Sequence, residues 1–213
     1  MGEGVGKALQ GDSAVAVLRA EVEGLMGRCV LCLQSYELLL KEVLAESKFE
    51  GSPDTMSSNR AKRRDRVEKS TLGGLVTEFL GGTLFPKLTE PRTETETGPD
   101  RPDGWIEFRL GITLPDNEFV RVEIALTALV KLRNRLVHTF LTEHDMQTVV
   151  GCTAAKDALQ LALDQISGHL TELRSWKRVF DTTRQAYAKA MQSEEVMALI
   201  VSGKHIDTEF KLP

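Results

Sequence analysis

Two segments of this chain carry apolar residues at three- and four-residue spacing over about ten helical turns each, and they limit what it can fold into. In residues 12–47, Val15, Leu18, Val22, Leu25, Met26, Cys29, Leu33, Tyr36, Leu40, Val43 and Leu44 recur in this way. In residues 149–191, Leu159, Leu163, Ile166, Leu170, Leu173, Trp176, Phe180 and Tyr187 do the same. A helix turns once per about 3.6 residues, so each set falls on one stripe. Stripes of that length must be covered by other helices. The fold class expected is all-α: an antiparallel bundle of four to five helices, two of them long.

The remaining segments fit around those two. Asp12 or Ser13 is a ready N-cap for the first long helix, which leaves residues 1–11 as a flexible tail. The turn formers of "FEGSPDTMSSN" end that helix. The basic run "RAKRRDRVEK" (60–69) leads into a helix over 70–81. Residues 85–104 are rich in Pro, Thr and Glu and read as an exposed loop. "WIEFRLGITL" (105–114) alternates like a short strand or an extended hairpin arm. "LPDN" opens a further helix, with Asp116 or Asn117 as cap, running to about Leu141 before "TEHDMQTVV" breaks it. A short helix around 194–201 closes one helical domain spanning 12–202, and 203–213 form a C-terminal tail.

Composition narrows the function classes. The formal net charge is −4, so the chain has no global attraction for nucleic acid, and an RNA site must be a local basic patch. No apolar run approaches the roughly 20 residues of a membrane span, so no membrane role is expected. "MGEGVGKALQ" lacks the apolar core of a signal peptide. Its glycines have the wrong spacing for a phosphate loop, with no Ser or Thr after Lys7. An odd count of 3 cysteines without a secretion signal points to a reducing, cytoplasmic setting. "CVLC" (Cys29, Cys32) has redox-motif spacing but lies within a helix, where Cys serves as a small apolar residue. No second ligand pair stands at zinc-finger spacing, so neither metal nor cofactor is expected.

The chemistry concentrates in "KLRNRLVHTF" (131–140). On helix 116–141, Val122, Leu126, Leu129, Leu136 and Phe140 share one face, and Arg133 falls on that same stripe. An arginine there must snorkel, pair with an acid or line a cleft. Asn134 and His138 are four apart and therefore neighbours, so Asn134 is placed to hydrogen-bond His138 and orient its ring. Arginine stabilises phosphate charge and histidine moves protons near neutral pH, which suits RNA cleavage by the RNA's own 2′-hydroxyl. That reaction needs a base and an acid, and one histidine supplies only one of them. A symmetric homodimer would supply the second. Arg, Asn and His on a helix also make plain salt bridges and caps, and a cation near a helix C-terminus is favourable in any case.

"RNRLVH" resembles the R-x4-6-H motif of the HEPN superfamily, in which the residue after the arginine is polar, commonly Asn, Asp or His. Arg133, Asn134 and His138 match it one by one. The stretches "GRCVLCLQSYELLLKEVL", "KSTLGGLVTEFL", "LVKLRNRLVHTFL" and "AYAKAMQS" together resemble the helical region that accompanies OST-HTH (LOTUS) domains in some bacterial proteins. HEPN proteins are helical bundles, many of them dimeric, metal-independent endoribonucleases in toxin–antitoxin, phage-defence and RNA-processing systems. The resemblance therefore implies catalytic roles for Arg133, Asn134 and His138. It also implies RNA as substrate, a homodimer, and an antitoxin or regulatory protein as partner. Two features depart from it. The bacterial proteins carry a LOTUS domain after the helical region, whereas this chain ends at Pro213, which implies either a truncated or stand-alone form or RNA binding by the bundle itself. The toxins modified by a partner nucleotidyltransferase have a tyrosine two residues past the histidine, where this chain has Phe140.

Further candidates lie outside the motif. Arg60, Lys62, Arg63, Arg64 and Arg66 form the one dense basic run, which supplies either RNA phosphate contacts or a solvated face. His144 is an auxiliary proton carrier or a solvated loop residue. His169 and His205 stand without context. The readings left open are a dimeric endoribonuclease, a non-catalytic helical RNA- or protein-binding module, and a nucleotide-binding regulator in which Arg133 holds a phosphate.

Overall fold

The computed structural model describes residues 3–87 and 105–194. It is all-α in its framework, with two long helices as the apolar periodicity predicts. The order is α1 (Glu3–Ser47), β1 (Lys48–Gly51), α2 (Met56–Glu68), α3 (Leu72–Gly82), β2 (Leu84–Pro86), β3 (Ile106–Arg109), β4 (Ile112–Leu114), α4 (Asp116–His138), α5 (Phe140–Glu143) and α6 (Val149–Met191). Two compact units divide the chain, 1–174 and 175–213, and the division falls within α6. In the second unit, Asp181 pairs with Lys177 at 2.7 Å and with Arg184 at 3.7 Å, one helical turn away on either side.

The first unit is organised by α1 and α6. Their contacts rise together in number: Glu21 with Lys156, the Cys29 thiol with the Leu159 carbonyl, Cys32 with Ser167, and Tyr36 with His169. The two long helices therefore run in the same direction. The antiparallel partner is α4, whose Arg121 near its start meets Glu172 well along α6. At the other end Arg19 of α1 donates to the Met146 carbonyl just before α6 begins. The core is the set that the spacing picks out. Leu33, Tyr36, Leu40 and Leu44 of α1, Leu126 and Leu129 of α4, and Leu159, Ile166 and Leu173 of α6 are all buried. The cysteine pair belongs to this packing: burial is the main influence raising the Cys29 thiol above its ordinary range, which disfavours the reactive thiolate.

Several boundaries differ from the sequence expectation. The first helix begins at Glu3 and runs through Asp12 and Ser13, so neither caps it and residues 3–11 are helical. The basic run is itself helical, forming most of α2 rather than a lead-in. Leu84–Pro86 is a strand, so the segment expected as loop from 85 starts later; its residues 88–104 lie outside the described ones. Pro115 occupies the cap of α4 and Asp116 is its first helical residue. α4 ends at His138, and Phe140 and Leu141 belong to the separate turn α5. Of the helix expected around 194–201, residues 195–201 lie outside the described ones, as does the C-terminal tail.

The extended stretch 105–114 is present but splits between two partners that carry no strand signal of their own. β3 pairs antiparallel with β1, and β4 pairs parallel with β2. The segment thereby ties the end of α1 to the end of α3. Gly111 sits at the crossing, where a Cβ would come within 2.8 Å of the Phe85 ring. In the β1–β3 pair, Lys48 faces Arg109 and Glu50 faces Glu107, and such like-charge pairs repel. Lys48 resolves this by reaching Glu50 at 2.8 Å and Glu107 at 3.4 Å. Burial acts to raise the Glu107 carboxyl, but Lys48 and Arg109 outweigh it and hold the group below the ordinary carboxylate range.

Arg63 locks α2 to this end of the bundle. Its Nε and Nη2 donate to the Leu44 carbonyl at 3.0 and 2.8 Å, satisfying an acceptor near the C-terminus of α1, where the carbonyls lose their helical partners. The same guanidinium reaches Ser47 and pairs with Glu78 of α3 at 3.0 Å. Arg66 shares Glu78 but is exposed. Removing Arg63 takes two charged donors from the Leu44 carbonyl, which keeps only the Ser47 hydroxyl, and leaves Glu78 with a weaker partner. Arg63→Ala should lower unfolding free energy by about 2–3 kcal/mol. Arg66→Ala should cost less than about 1 kcal/mol. Urea titration of both variants checks this ordering, and equal losses would contradict it.

Candidate functional site

α4 presents Arg133, Asn134 and His138 near its C-terminus. The helix forms here because Leu129, Leu136 and, beyond the break, Phe140 are buried, with the basic residues Arg135 and His138 in the last turn. Arg133 sits at the edge of that buried stripe and is half-buried, whereas Asn134 and His138 are exposed. Five residues at about 100° each put Arg133 and His138 about 140° apart around the axis and about 7.5 Å apart along it. Asn134 lies between them. Arg133 Nη1 donates to Asn134 Oδ1 at 3.2 Å, so the guanidinium leans out of the core edge toward the exposed face.

The three residues thus form a band wrapping from core edge to solvent. The internal link is Arg133–Asn134, not the expected Asn134–His138. His138 makes no hydrogen bond among the described residues, and Arg133 has no acidic partner among them. An unpaired guanidinium at the core edge retains free donors for an incoming anion. Arg135, expected at the rim, is exposed and pairs with Glu143 at 3.3 Å. His144 is half-buried rather than solvated. Its ring lies 4.6 Å from that of Phe140, and its Nε2 is buried without a partner among the described residues.

On the side of α4 opposite the core, Val120, Ile124, Thr127, Lys131, Asn134 and His138 follow at alternating spacings of four and three. All but Val120, at 49%, and Ile124, at 64% exposed, are polar, and Val137 adds a further exposed apolar side chain beside His138. Leu141 continues the spacing into α5 and is 75% exposed. A heptad-spaced stripe with apolar members is the pattern by which one helix packs on another.

The basic run divides into two roles. Arg63 is committed to the contacts described above, and burial is the first influence lowering its pKa. Arg60, Lys62 and Arg66 line a concavity between β1 and α2, which Arg64 does not. The sequence offered no sign that Lys48 and Phe49 of β1 join them there. Sequence reasoning also left His169 without a role. It is half-buried against the Tyr36 ring, with Glu172 and Arg121 nearby. That site depends on three helices meeting, which no local spacing signals.

Among the described residues no group of three His, Cys, Asp or Glu side chains could hold a metal ion, and no helix is long and apolar enough to cross a membrane. No protein-family model matches the chain, and no curated protein or solved structure matches it.

Burial holds the His169 imidazole below its ordinary range, with Glu172 opposing and Arg121 reinforcing the shift. A histidine depressed in the folded state contributes stability that is present above its unfolded pKa of about 6.5 and is lost as pH falls below it. Unfolding free energy should therefore decline from about pH 7.5 to 5.5, and His169→Phe should flatten the decline. Identical slopes in both proteins would rule this out.

Proposed function

We propose that this chain is a metal-independent endoribonuclease of HEPN type, acting as a homodimer in a toxin or phage-defence setting. The observation that carries the reading is the Arg133–Asn134–His138 band, whose guanidinium has no ion-pair partner among the described residues and whose histidine stands on a helix face exposed among them. In the proposed reaction the RNA's 2′-oxygen attacks the adjacent phosphorus while His138 takes its proton. The bond to the 5′-oxygen breaks, and the partner's His138 donates a proton to that leaving oxygen. The products are a 2′,3′-cyclic phosphate and a free 5′-hydroxyl. Arg133, held by Asn134, stabilises the charge on the phosphate oxygens as it builds. Every bond change is balanced by proton transfers between imidazoles and RNA, so no cofactor enters.

The single histidine per band makes the dimer part of the chemistry rather than an addition to it. Two copies of α4 packed in parallel through the Val120–Ile124–His138 stripe would bring both histidines to one cleft. A second reading, a non-catalytic helical module binding RNA or protein, is favoured by one observation: nothing among the described residues orients the His138 imidazole. A nucleotide-binding regulator using Arg133 as its phosphate ligand draws on the same unpaired guanidinium.

Cleavage of total RNA and of tRNA in EDTA tests the proposal. Wild-type protein should cut and leave cyclic phosphate ends. Arg133→Ala and His138→Ala should each lower the rate at least about 100-fold while keeping the fold, a loss typical of proton-transfer or charge-stabilising groups. Persistent cutting by both variants would refute the assignment. The dimer has its own test by sedimentation. Ile124→Glu should turn a wild-type dimer into a folded monomer that no longer cleaves RNA, and a wild-type monomer that cleaves would refute the composite site.

A further inference from the structure

The α4 band leaves the molecule's other concentration of positive charge without a task. Between β1 and α2 lies a concavity of about 290 Å³, close to the lower end of ligand pockets. Lys48, Arg60, Lys62, Arg63 and Arg66 line it, with Glu50 as the one acidic lining residue among the described ones. In a chain of net charge −4 this is a local reversal of sign. Three of the cations are already engaged: Lys48 with Glu50 and Glu107, and Arg63 and Arg66 with Glu78. Arg60 and Lys62 are exposed and make no ion pair among the described residues. Arg63, clamped to the end of α1, is a fixed positive charge in the wall.

Phe49 lines the concavity and stacks on Phe108, with ring centroids 4.6 Å apart and planes 23° from parallel. The β1–β3 register places those two residues opposite one another, so the sheet holds Phe49 in place. A rigid ring beside unpaired cations is the pairing that nucleotides meet in single-strand binding proteins. Cations take the phosphate, and the ring takes the base regardless of its identity. Inorganic anions would use only the charge, and apolar ligands only the ring.

We propose that the β1–α2 basin is a nucleotide-binding site, with successive phosphates on Arg60 and Lys62, which flank it from opposite sides of α2, and a base stacked on Phe49. The nucleotide is a unit of single-stranded RNA held away from the cleavage band, and this naming of RNA as its carrier rests on the endoribonuclease reading. The basin itself does not depend on that reading, because it shares no residue with α4. As a holding point it would favour substrates with an unpaired segment and make RNA affinity depend on salt through two phosphate contacts.

The test uses full-length His138→Ala protein, so that binding is read without cleavage, and a fluorescent unstructured oligoribonucleotide in an anisotropy titration, with AMP as a second probe. Adding Arg60→Ala and Lys62→Ala should weaken oligoribonucleotide binding at least about 10-fold and reduce the slope of log affinity against log salt by about 1.4, or about 0.7 per phosphate contact. Phe49→Leu should weaken it by about 5- to 150-fold at unchanged salt slope. The two charge substitutions are on exposed positions, so their result stands even if Phe49→Leu unfolds. AMP binding as tightly as the oligomer, and lost in the same variants, would support the site with a free nucleotide as occupant. Binding of both probes unchanged in the charge variant, or binding of neither probe to the parent, would overturn it. Cleavage by wild-type protein is read separately: its absence would defeat the endoribonuclease reading and leave the binding result standing.

Discussion

The two long helices of this protein run in the same direction, and much of the remaining architecture follows from that constraint. Two adjacent parallel helices need a connection that returns along the stretch over which they pair, because the end of one lies far from the start of the other. α4 is that return. It is covered on its inner face by the apolar stripes of the bundle and joined to α6 through Arg121 and Glu172. Its C-terminus must arrive near the start of α6, so the Arg133–His138 band comes to the end of the bundle where Arg19 closes on Met146. The small β pairings occupy the opposite end, where α1 stops and the chain turns into α2 and α3.

At that end, charge does work usually left to apolar packing. α2 has a single buried residue, Val67, too little to fix a 13-residue helix by hydrophobic burial alone. Arg63 makes up the difference by meeting the Leu44 carbonyl and Glu78 at once. The same helix can then spend Arg60 and Lys62 outward. One basic run thus serves two purposes, and the difference between its members is set by what α1 and α3 present to each position rather than by the residues themselves.

The α4 band shows the limit of reasoning from one helix. Helical spacing puts Arg133 in line with the buried stripe and Asn134 one turn before His138, and in the fold Arg133 is half-buried at the stripe's edge. The hydrogen bond nevertheless joins Asn134 to Arg133, because a long side chain at the core edge can bend outward to a nearby acceptor. His138 is left exposed beside the exposed Val137.

The sequence by itself determined the all-α framework, the two long helices and most of the core, because a 3.6-residue apolar repeat is a local property that burial then enforces. It also marked the residues with chemistry, since Arg, Asn and His stand out in an apolar run without any knowledge of their neighbours. Tertiary structure alone decided the common direction of α1 and α6, the splitting of 105–114 between β1 and β2, the clamp at Arg63 and the meeting of Phe49 with Arg60 and Lys62. Each of these depends on contacts between segments far apart in the chain. Short strands such as Lys48–Gly51 and Leu84–Pro86 carry too few residues for a periodic signal and exist only where a partner strand meets their backbone groups.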